Sequence, residues 1–263
     1  MGHRNGVGSG QVNGPNDRHA LATFAREANA MDDMPGPPHT PVKIAIYDLD
    51  RTITRWPTWT PFLLHAVLRH APWRVALLPV VLGAAGLKAL GVIHRDRLKQ
   101  VMHRAALGTL SPAQAERIAE GWLARFGPLH IRRQAKAQIA ADRAAGYRIV
   151  IATAAYAFYA EGIARSVGAD ALIATRTALD PRGRLLPRIE GGNCYGPAKL
   201  TMIEAWLTEQ GVARADAYVR FYSDHVSDVP TFEWADEPVA VNPHAALRTV
   251  AAARGWPQVD WDA

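Results

Sequence analysis

The strongest concentration of reactive side chains is at Asp48, Asp50 and Thr52, where two carboxylates one residue apart precede a hydroxyl. Two neighbouring carboxylates repel each other unless a cation or a shared proton compensates their charge. Carboxylate oxygens are ligands that Mg²⁺ prefers, and a carboxylate can also act as a nucleophile. The stretch therefore indicates Mg²⁺-assisted chemistry. The alternative at this point is an ordinary turn, in which aspartate is common.

The segment before these residues predicts how they are positioned. Residues 42–47 (VKIAIY) are mostly apolar and partly β-branched, which is typical of a buried strand. In an open α/β sheet, ligands bind at the carboxyl ends of the strands. Both aspartates are therefore expected at a ligand-binding edge.

The rest of the chain divides by its pattern into a helical part and an alternating part. Residues 62–138 show no strand pattern, whereas strands and helices alternate from residue 139 onward, which predicts βαβ units. The later strands are predicted at residues 147–152, 171–175, 183–186, 217–222 and 238–241. We predict a doubly wound α/β core with a parallel sheet (41–55 and 139–263), an inserted helical cap (56–138) and a flexible tail (1–40).

Charge is concentrated in the predicted cap. The 263-residue chain has a formal net charge of +6, and residues 56–110 carry seven Lys and Arg against Asp96 alone. A basic excess confined to one segment indicates an anionic partner for that segment. The single cysteine, Cys194, excludes an intramolecular disulfide and a cysteine-based zinc site.

The cap also contains an uncharged apolar stretch, residues 75–87 (VALLPVVLGAAGL), with basic residues on both sides and Trp73 before it. It is short for a transmembrane span. Its composition is that of a membrane-surface anchor. A hydrophobic helix packed inside the cap explains it equally well, since every helical cap needs a core.

Further polar residues follow later strands. Thr153 ends the second predicted strand, Asp224 and Asp228 follow the strand at 217–222, and Lys199 lies near the start of a predicted helix. The tips of parallel strands lie along one edge and can converge. Carboxylates, a hydroxyl and an ammonium group together suit Mg²⁺-dependent phosphoryl transfer.

These four elements resemble, in order, the motifs of haloacid dehalogenase-like (HAD) hydrolases: DLDRT at 48–52, Thr153, Lys199 and SDHVSD at 223–228. The resemblance covers residues 41–260 and implies a Rossmann-like core. The insertion directly after the first motif is similar to that of subfamily IB, which includes phosphoserine phosphatases. Within that subfamily, the apolar, basic cap resembles bacterial lipid-phosphate phosphatases of the phosphatidylglycerophosphatase C type.

The resemblance implies roles for the aspartates. Asp48 would attack phosphorus and form an aspartyl-phosphate. Asp50 would protonate the leaving alcohol and then activate water, while its backbone carbonyl binds Mg²⁺. Asp48 and Asp224 would supply further Mg²⁺ ligands. Asp228 would support the metal or orient Lys199 without touching the metal.

The resemblance also implies roles for the remaining motif residues. Thr153 and Lys199 would hold phosphate oxygens, and Thr52 would shape the loop. Arg51 stands where the family often has glycine. If its backbone needs a positive φ, arginine carries a steric cost. If not, its guanidinium can bind an anionic substrate group.

The cap composition bears on the substrate. Phosphoserine phosphatases carry an acidic residue soon after the first motif, but no acidic residue occurs here from Arg51 through Arg95. We therefore expect an anionic or phospholipid-type phosphate, such as a phosphatidylglycerophosphate-like lipid. The alternatives are a phosphatase of phosphoserine or another small metabolite, and a catalytically silent protein that binds a membrane surface.

Partners and location follow from the same features. An anionic membrane surface is the expected partner of the cap, and no nucleic-acid partner is expected because the basic segment is apolar. Residues 1–40 contain no apolar segment typical of a secretory signal. We expect a cytoplasmic protein that can lie peripherally at the inner face of the membrane.

Overall fold

A seven-stranded sheet forms around the central strand β1 (Val42–Tyr47) in the computed structural model, which describes residue 2 and residues 40–262. The remaining strands are β2 (Arg148–Tyr156), β3 (Ala171–Leu179), β4 (Leu185–Glu190), β5 (Ala217–Ser223), β6 (Glu237–Val241) and β7 (Gln258–Val259). Their order is β4-β3-β2-β1-β5-β6-β7, and every pair is parallel except β3 and β4. The predicted α/β fold class is confirmed.

The side chains of β1 alternate between the two faces of the sheet, and this alternation explains why the strand lies at its centre. Ile44 and Ile46 point into one hydrophobic cluster, and Ala45 and Tyr47 into the other. Because both faces are covered, the strand reads as an almost continuous apolar run. Tyr47 is in register with Ile151 of β2 and Tyr222 of β5, so β1 and β5 end side by side, next to the point where β2 approaches Thr153.

Helices cover both faces of the sheet. They are α1 (Trp59–His70), α2 (Leu78–Ala89), α3 (Arg95–Ala106), α4 (Pro112–His130), α5 (Arg133–Ala144), α6 (Ala157–Ser166), α7 (Pro197–Glu209), α8 (Val229–Trp234) and α9 (Ala245–Arg254). A 3₁₀ segment, Pro72–Leu77, precedes α2. All residues between β1 and β2 are described, and they form helices and connecting turns without a strand.

The 56–138 segment shares its core with the sheet. Phe62 of α1 and Trp122 of α4 belong to the same hydrophobic cluster as Tyr47 and Ile151. The helix α5 runs through the expected boundary at residue 138. The boundaries of the cap therefore stay a prediction, as does the tail, which lies outside the described residues except at residues 2 and 40.

Several elements differ in length from their predictions. β2 continues past Thr153 to Tyr156, with a register shift against β3 at this point. The strand predicted at 183–186 occupies Leu185–Glu190 instead and pairs antiparallel with β3, as expected for a hairpin. The short α8 and the two-residue β7 were not predicted, because neither is long enough to show a period.

The apolar helix of the 56–138 segment is exposed rather than packed inside. Among the described residues, one stretch, Pro72–Ala89, has the length and composition to cross a membrane, and only 6% of it is buried. Ala84 is the buried residue of α2. The alternative of a hydrophobic helix buried in a cap core is therefore wrong.

Candidate active site

The ends of β1, β2 and β5 surround a pocket of about 280 Å³. It is lined by most of the predicted site residues, namely Asp48, Asp50, Arg51, Thr153, Lys199, Asp224 and Asp228. The backbone N–H of Asp48 donates to the carbonyl of Tyr222 at 2.8 Å, which joins the first motif to the end of β5. Residues more than 170 positions apart in the sequence thus lie in one site.

A buried ion-pair chain holds one side of the pocket. Nζ of Lys199 lies 2.8 Å from Oδ1 of Asp48 and 2.6 Å from Oδ2 of Asp228. The hydroxyl of Ser223 donates to the same Asp228 oxygen at 2.7 Å. Lys199 reaches this position from the first turn of α7, which begins after Gly196 at a positive φ of 60°. Lys199 therefore positions two carboxylates at once.

Burial and neighbouring charges act in opposite directions on the pKa values of Asp48 and Lys199. Burial raises the pKa of Asp48, Lys199 lowers it, and repulsion from Asp228 and Asp224 raises it again. Burial alone lowers the pKa of Lys199, but attraction to Asp228 and Asp48 outweighs burial and raises it. The ammonium of Lys199 therefore stays charged, while Asp48 needs a further cation to be fully ionised.

Asp50 occupies a separate environment. Its Oδ1 accepts hydrogen bonds from the backbone N–H and the hydroxyl of Thr58, both at 2.8 Å. The Thr58 hydroxyl is also 3.0 Å from the hydroxyl of Tyr159. Burial raises the pKa of Asp50, whereas the Thr58 bonds and the charges of Lys99 and Arg95 lower it. A carboxyl with a raised pKa suits a group that donates and then accepts a proton.

Asp224 and Thr153 both line the pocket. Burial raises the pKa of Asp224 to about 6, with Lys199 lowering and Asp228 raising it. The buried hydroxyl of Thr153 accepts a hydrogen bond from the N–H of Ala155 at 3.0 Å, so its own proton is available to a ligand oxygen.

Arg51 combines both alternatives left open by the sequence. Its backbone has φ 65° and ψ −7°, the left-handed region that favours glycine. Its N–H donates to the hydroxyl of Thr54 at 3.3 Å, and its carbonyl accepts from Arg132 at 3.3 Å. The residue also lines the pocket. The steric cost and the guanidinium beside the site are therefore both present.

Thr52 lies apart from the pocket lining. It is fully buried, and its hydroxyl has no hydrogen-bond partner among the described residues. This position agrees with a role in shaping the loop, and nothing brings Thr52 to a ligand.

Several pocket residues were not predicted from the sequence. Arg95 at the start of α3 stacks over the ring of Tyr195 at 3.9 Å, and both line the pocket together with His225 and His244. Thr58, which holds Asp50, lies in a loop rich in tryptophan and proline and carries no sequence signal of its own. The basic excess of residues 56–110 was the one available signal for Arg95.

The donor set fits a divalent cation of the Mg²⁺ type. Asp48, Asp224 and Asp228 face a single compensating ammonium, and the second oxygen of Asp228, Oδ1, is buried without a hydrogen-bond partner. Across the described residues, no three His, Cys, Asp or Glu side chains form a metal-binding group. Mg²⁺ prefers carboxylate oxygens and characteristically completes a small set of protein ligands with water and phosphate oxygens.

Comparison with known proteins decides the family. The sequence-family model for haloacid dehalogenase-like hydrolases matches residues 45–233 of this chain. These residues include all of the aspartates that line the pocket. The chain belongs to this family. It is therefore a hydrolase with a HAD core, as the order of its motifs predicted.

Individual relatives cover most of the chain. It is 30% identical over 226 residues to the "Inhibition of morphological differentiation protein" of Streptomyces azureus, spanning 84% of this chain and 79% of that protein. A histidinol-phosphatase of Neisseria meningitidis is 26% identical over 160 residues, spanning 60% of this chain and 72% of the relative.

Solved structures agree on the fold. A Bordetella pertussis protein of unknown function superposes with a TM-score of 0.75 at 28% identity, covering 84% of this chain and 100% of that one. A phosphoserine phosphatase, solved as a phospho-aspartyl intermediate analogue, gives a TM-score of 0.54 at 16% identity over 80% of this chain and 90% of its own. At this identity the second likeness concerns the fold alone.

Proposed function

We propose that the protein is a Mg²⁺-dependent phosphomonoester hydrolase of HAD subfamily IB that works through an aspartyl-phosphate on Asp48. The observation that carries the proposal is a pair of carboxylates in unlike environments within one pocket. Asp48 is paired with Lys199, whereas Asp50 is held by Thr58. Unlike environments give two aspartates two different roles. The histidinol-phosphatase relative supports the phosphatase class.

In the first half-reaction, a carboxylate oxygen of Asp48 forms a bond to phosphorus as the bond to the alcohol oxygen breaks. Asp50 gives its proton to that oxygen, and its raised pKa keeps the proton available. Thr153 and Lys199 donate hydrogen bonds to the phosphoryl oxygens, where negative charge accumulates.

In the second half-reaction, the ionised Asp50 removes a proton from water, and the water oxygen attacks phosphorus. The bond from phosphorus to Asp48 breaks, which restores the carboxylate and releases phosphate. Mg²⁺, held by Asp48, Asp224 and the Asp50 carbonyl, would neutralise phosphoryl charge. Asp228 keeps Lys199 aimed at Asp48 in both halves, through its bond of 2.6 Å.

The pocket charges favour an anionic substrate. Among the described residues, every acidic side chain that lines the pocket is one of the four predicted aspartates, so this part of the chain supplies no further carboxylate to pair with a substrate ammonium. Arg51 and Arg95 line the pocket in addition to Lys199. A phosphate ester whose alcohol part is anionic fits this charge distribution better than an amino acid does.

The apolar surface of the 56–138 segment favours a phospholipid-type substrate and a membrane surface as partner. Large apolar side chains are exposed along it: Trp73, Val75, Leu78, Val80, Leu82, Leu87, Leu90 and Val92. An apolar groove of about 210 Å³ lies between α1, α2 and α3. Basic flanks beside an exposed apolar helix suit the anionic inner face of a membrane.

A substrate screen tests the proposed activity. Purified protein with Mg²⁺ is given phosphatidylglycerophosphate, phosphatidate, phosphoserine and histidinol phosphate, and phosphate release is measured with Asp48→Asn as the inactive control. We expect release that needs Mg²⁺ and favours the anionic lipids. Preference for phosphoserine or histidinol phosphate would instead support the second candidate, a small-metabolite phosphatase, which the Neisseria relative favours. No release from any substrate would favour a membrane-surface binding protein without catalysis.

Vesicle sedimentation tests the membrane proposal separately. The double variant Leu78→Gln/Leu82→Gln changes two exposed residues one turn apart on α2, and Leu129→Gln/Leu179→Gln changes two equally exposed leucines elsewhere. Wild type and the second variant are expected to sediment with anionic vesicles at low salt, and the first variant is not. Equal sedimentation of all three proteins contradicts the proposal.

A further inference from the structure

A second cavity, of about 500 Å³, lies beside the catalytic pocket and shares three lining residues with it, Arg51, Asp224 and His244. It also contains Arg55, Arg132 and Arg248, so four arginines converge on it. The catalytic roles described above use none of the arginines that are confined to this cavity.

Three carboxylates line the cavity together with these arginines, namely Asp224, Asp260 and Asp262, and the last of them already pairs with two of the arginines. Asp262, three residues after β7, pairs with Arg55 at 2.9 Å and also with Arg132. Arg132 is only 3% exposed, and its Nε has no hydrogen-bond partner among the described residues. The side chain of Asp262, by contrast, is 44% exposed. A buried cation thus relies on an exposed, replaceable anion.

The two other arginines, Arg51 and Arg248, form no direct ion pair in the described structure, although the positive charge of Arg51 lowers the pKa of Asp224, which lines the same cavity. The guanidinium of Arg248 donates to the carbonyl of Pro243 at 3.1 Å, and no ion pair is formed by Arg248 or Arg51. Among the described residues, two non-glycine residues have a positive φ, namely Arg51 and Asn242. Both of them line this cavity. Backbone strain of this kind is kept where the surrounding structure needs the residue in place.

We propose that this arginine cavity binds a phosphate-type anion next to the scissile phosphate, in competition with Asp262. This anion can come from two sources. One is a second phosphate on the substrate, and for this source the inference rests on the proposed phosphatase function. The other source is a separate phosphate ion. Planar arginines bind the oxygens of such groups with paired hydrogen bonds.

The first arm of the test asks whether the bound anion is a second phosphate on the substrate. Alkanediol bisphosphates of increasing chain length and their matching monophosphates are compared in wild type, Arg248→Gln, Asp262→Asn and Arg254→Gln. Arg254 lies at the other end of α9 and pairs with Glu233, outside the cavity. The ratio of KM for bisphosphate to KM for monophosphate is expected to rise about tenfold in Arg248→Gln. It should fall in Asp262→Asn and stay constant in Arg254→Gln.

The second arm titrates inorganic phosphate by calorimetry into Asp48→Asn, with and without Arg248→Gln. If the KM ratio responds as expected, the anion belongs to the substrate. If the ratio does not respond but Arg248→Gln removes a phosphate-binding event, the cavity binds a separate ion. If neither quantity responds, or Asp262→Asn weakens binding, the proposal is overturned.

The two arms also separate this proposal from the proposed function. If wild type hydrolyses no phosphate ester, the proposed function fails, while the calorimetric arm still decides whether the cavity binds phosphate. Thermal unfolding of each variant confirms that it is folded before either arm is read.

Discussion

Replacing Lys199 by methionine should uncouple the two carboxylates that it joins. Methionine keeps the length of the side chain but removes the ammonium, so Asp48 and Asp228 remain buried without a counter-charge. The side chains of Lys199 and Asp228 are 2% and 3% exposed, so solvent screening does not reduce the effect. Removing one partner of a buried ion pair typically costs about 3–5 kcal/mol, and we expect a loss in that range at about pH 8.

The loss should depend on pH with a definite sign. In wild type, burial and repulsion already raise the pKa of Asp48 to about 8 against the lowering effect of Lys199. In the variant that lowering effect is gone, so the two neighbouring buried carboxylates can no longer both ionise and the native state takes up protons that wild type does not hold. The native state then binds more protons than the unfolded state above about pH 4, so the free energy of unfolding falls as pH rises. At about pH 4 the native carboxyls are protonated and the unfolded ones are partly protonated, so the two states differ little in bound protons and most of the penalty disappears.

The assay is urea unfolding followed by tryptophan fluorescence, in EDTA, at about pH 4.5 and about pH 8. Lys136→Met, an exposed lysine on α5, is the matched control and should change stability little at either pH. Adding Asp228→Asn to Lys199→Met should recover part of the stability but no activity. An equal loss at both pH values, or a loss below about 1 kcal/mol at the higher one, refutes the reasoning.

Three smaller predictions follow. Arg51→Gly should leave stability unchanged or raise it by up to about 1 kcal/mol in urea unfolding, because strain relief exceeds the entropy cost of glycine, while KM for an anionic substrate rises. Thr58→Val removes one donor to Asp50 and raises its pKa further. Phosphoenzyme should therefore accumulate, and the pH–kcat profile should move to higher pH. Ser111→Ala breaks a capping box on α4 and should cost about 1 kcal/mol of stability with kcat unchanged. Lower phosphoenzyme in Thr58→Val, a loss of stability in Arg51→Gly, or a changed kcat in Ser111→Ala contradicts the respective prediction.

The fold was predictable because its signals are local. The apolar run of β1 and the alternation after residue 139 reflect burial on both faces of the sheet, and they led to the parallel core that is observed. The capping box that Ser111 and Gln114 form at the start of α4 is a local signal of the same kind, because a serine followed three residues later by glutamine is visible in the sequence. Elements without a period, such as β7 with two residues, depend on pairing with β6 and leave no pattern in the sequence.

The pocket was predictable only in part. Asp48, Thr153 and Asp224 converge because parallel strands end at one edge, a rule that needs no knowledge of the loops. Arg95 reaches the pocket from the start of α3, Tyr195 from the loop between β4 and α7, and Thr58 from a loop whose path no local signal specifies. The exposure of α2 is likewise a tertiary property, since its composition suits burial and a membrane surface equally.

The phosphorylation state of Asp48 during turnover tests the central claim most directly. The protein is mixed with Mg²⁺ and a hydrolysed substrate, quenched in acid within the first turnover, digested and examined by mass spectrometry. We predict one phosphoryl group on the peptide that contains Asp48, present transiently in wild type, increased in Thr58→Val and absent in Asp48→Asn. Phosphate release at full rate from a protein whose Asp48 never carries a phosphoryl group would contradict the account.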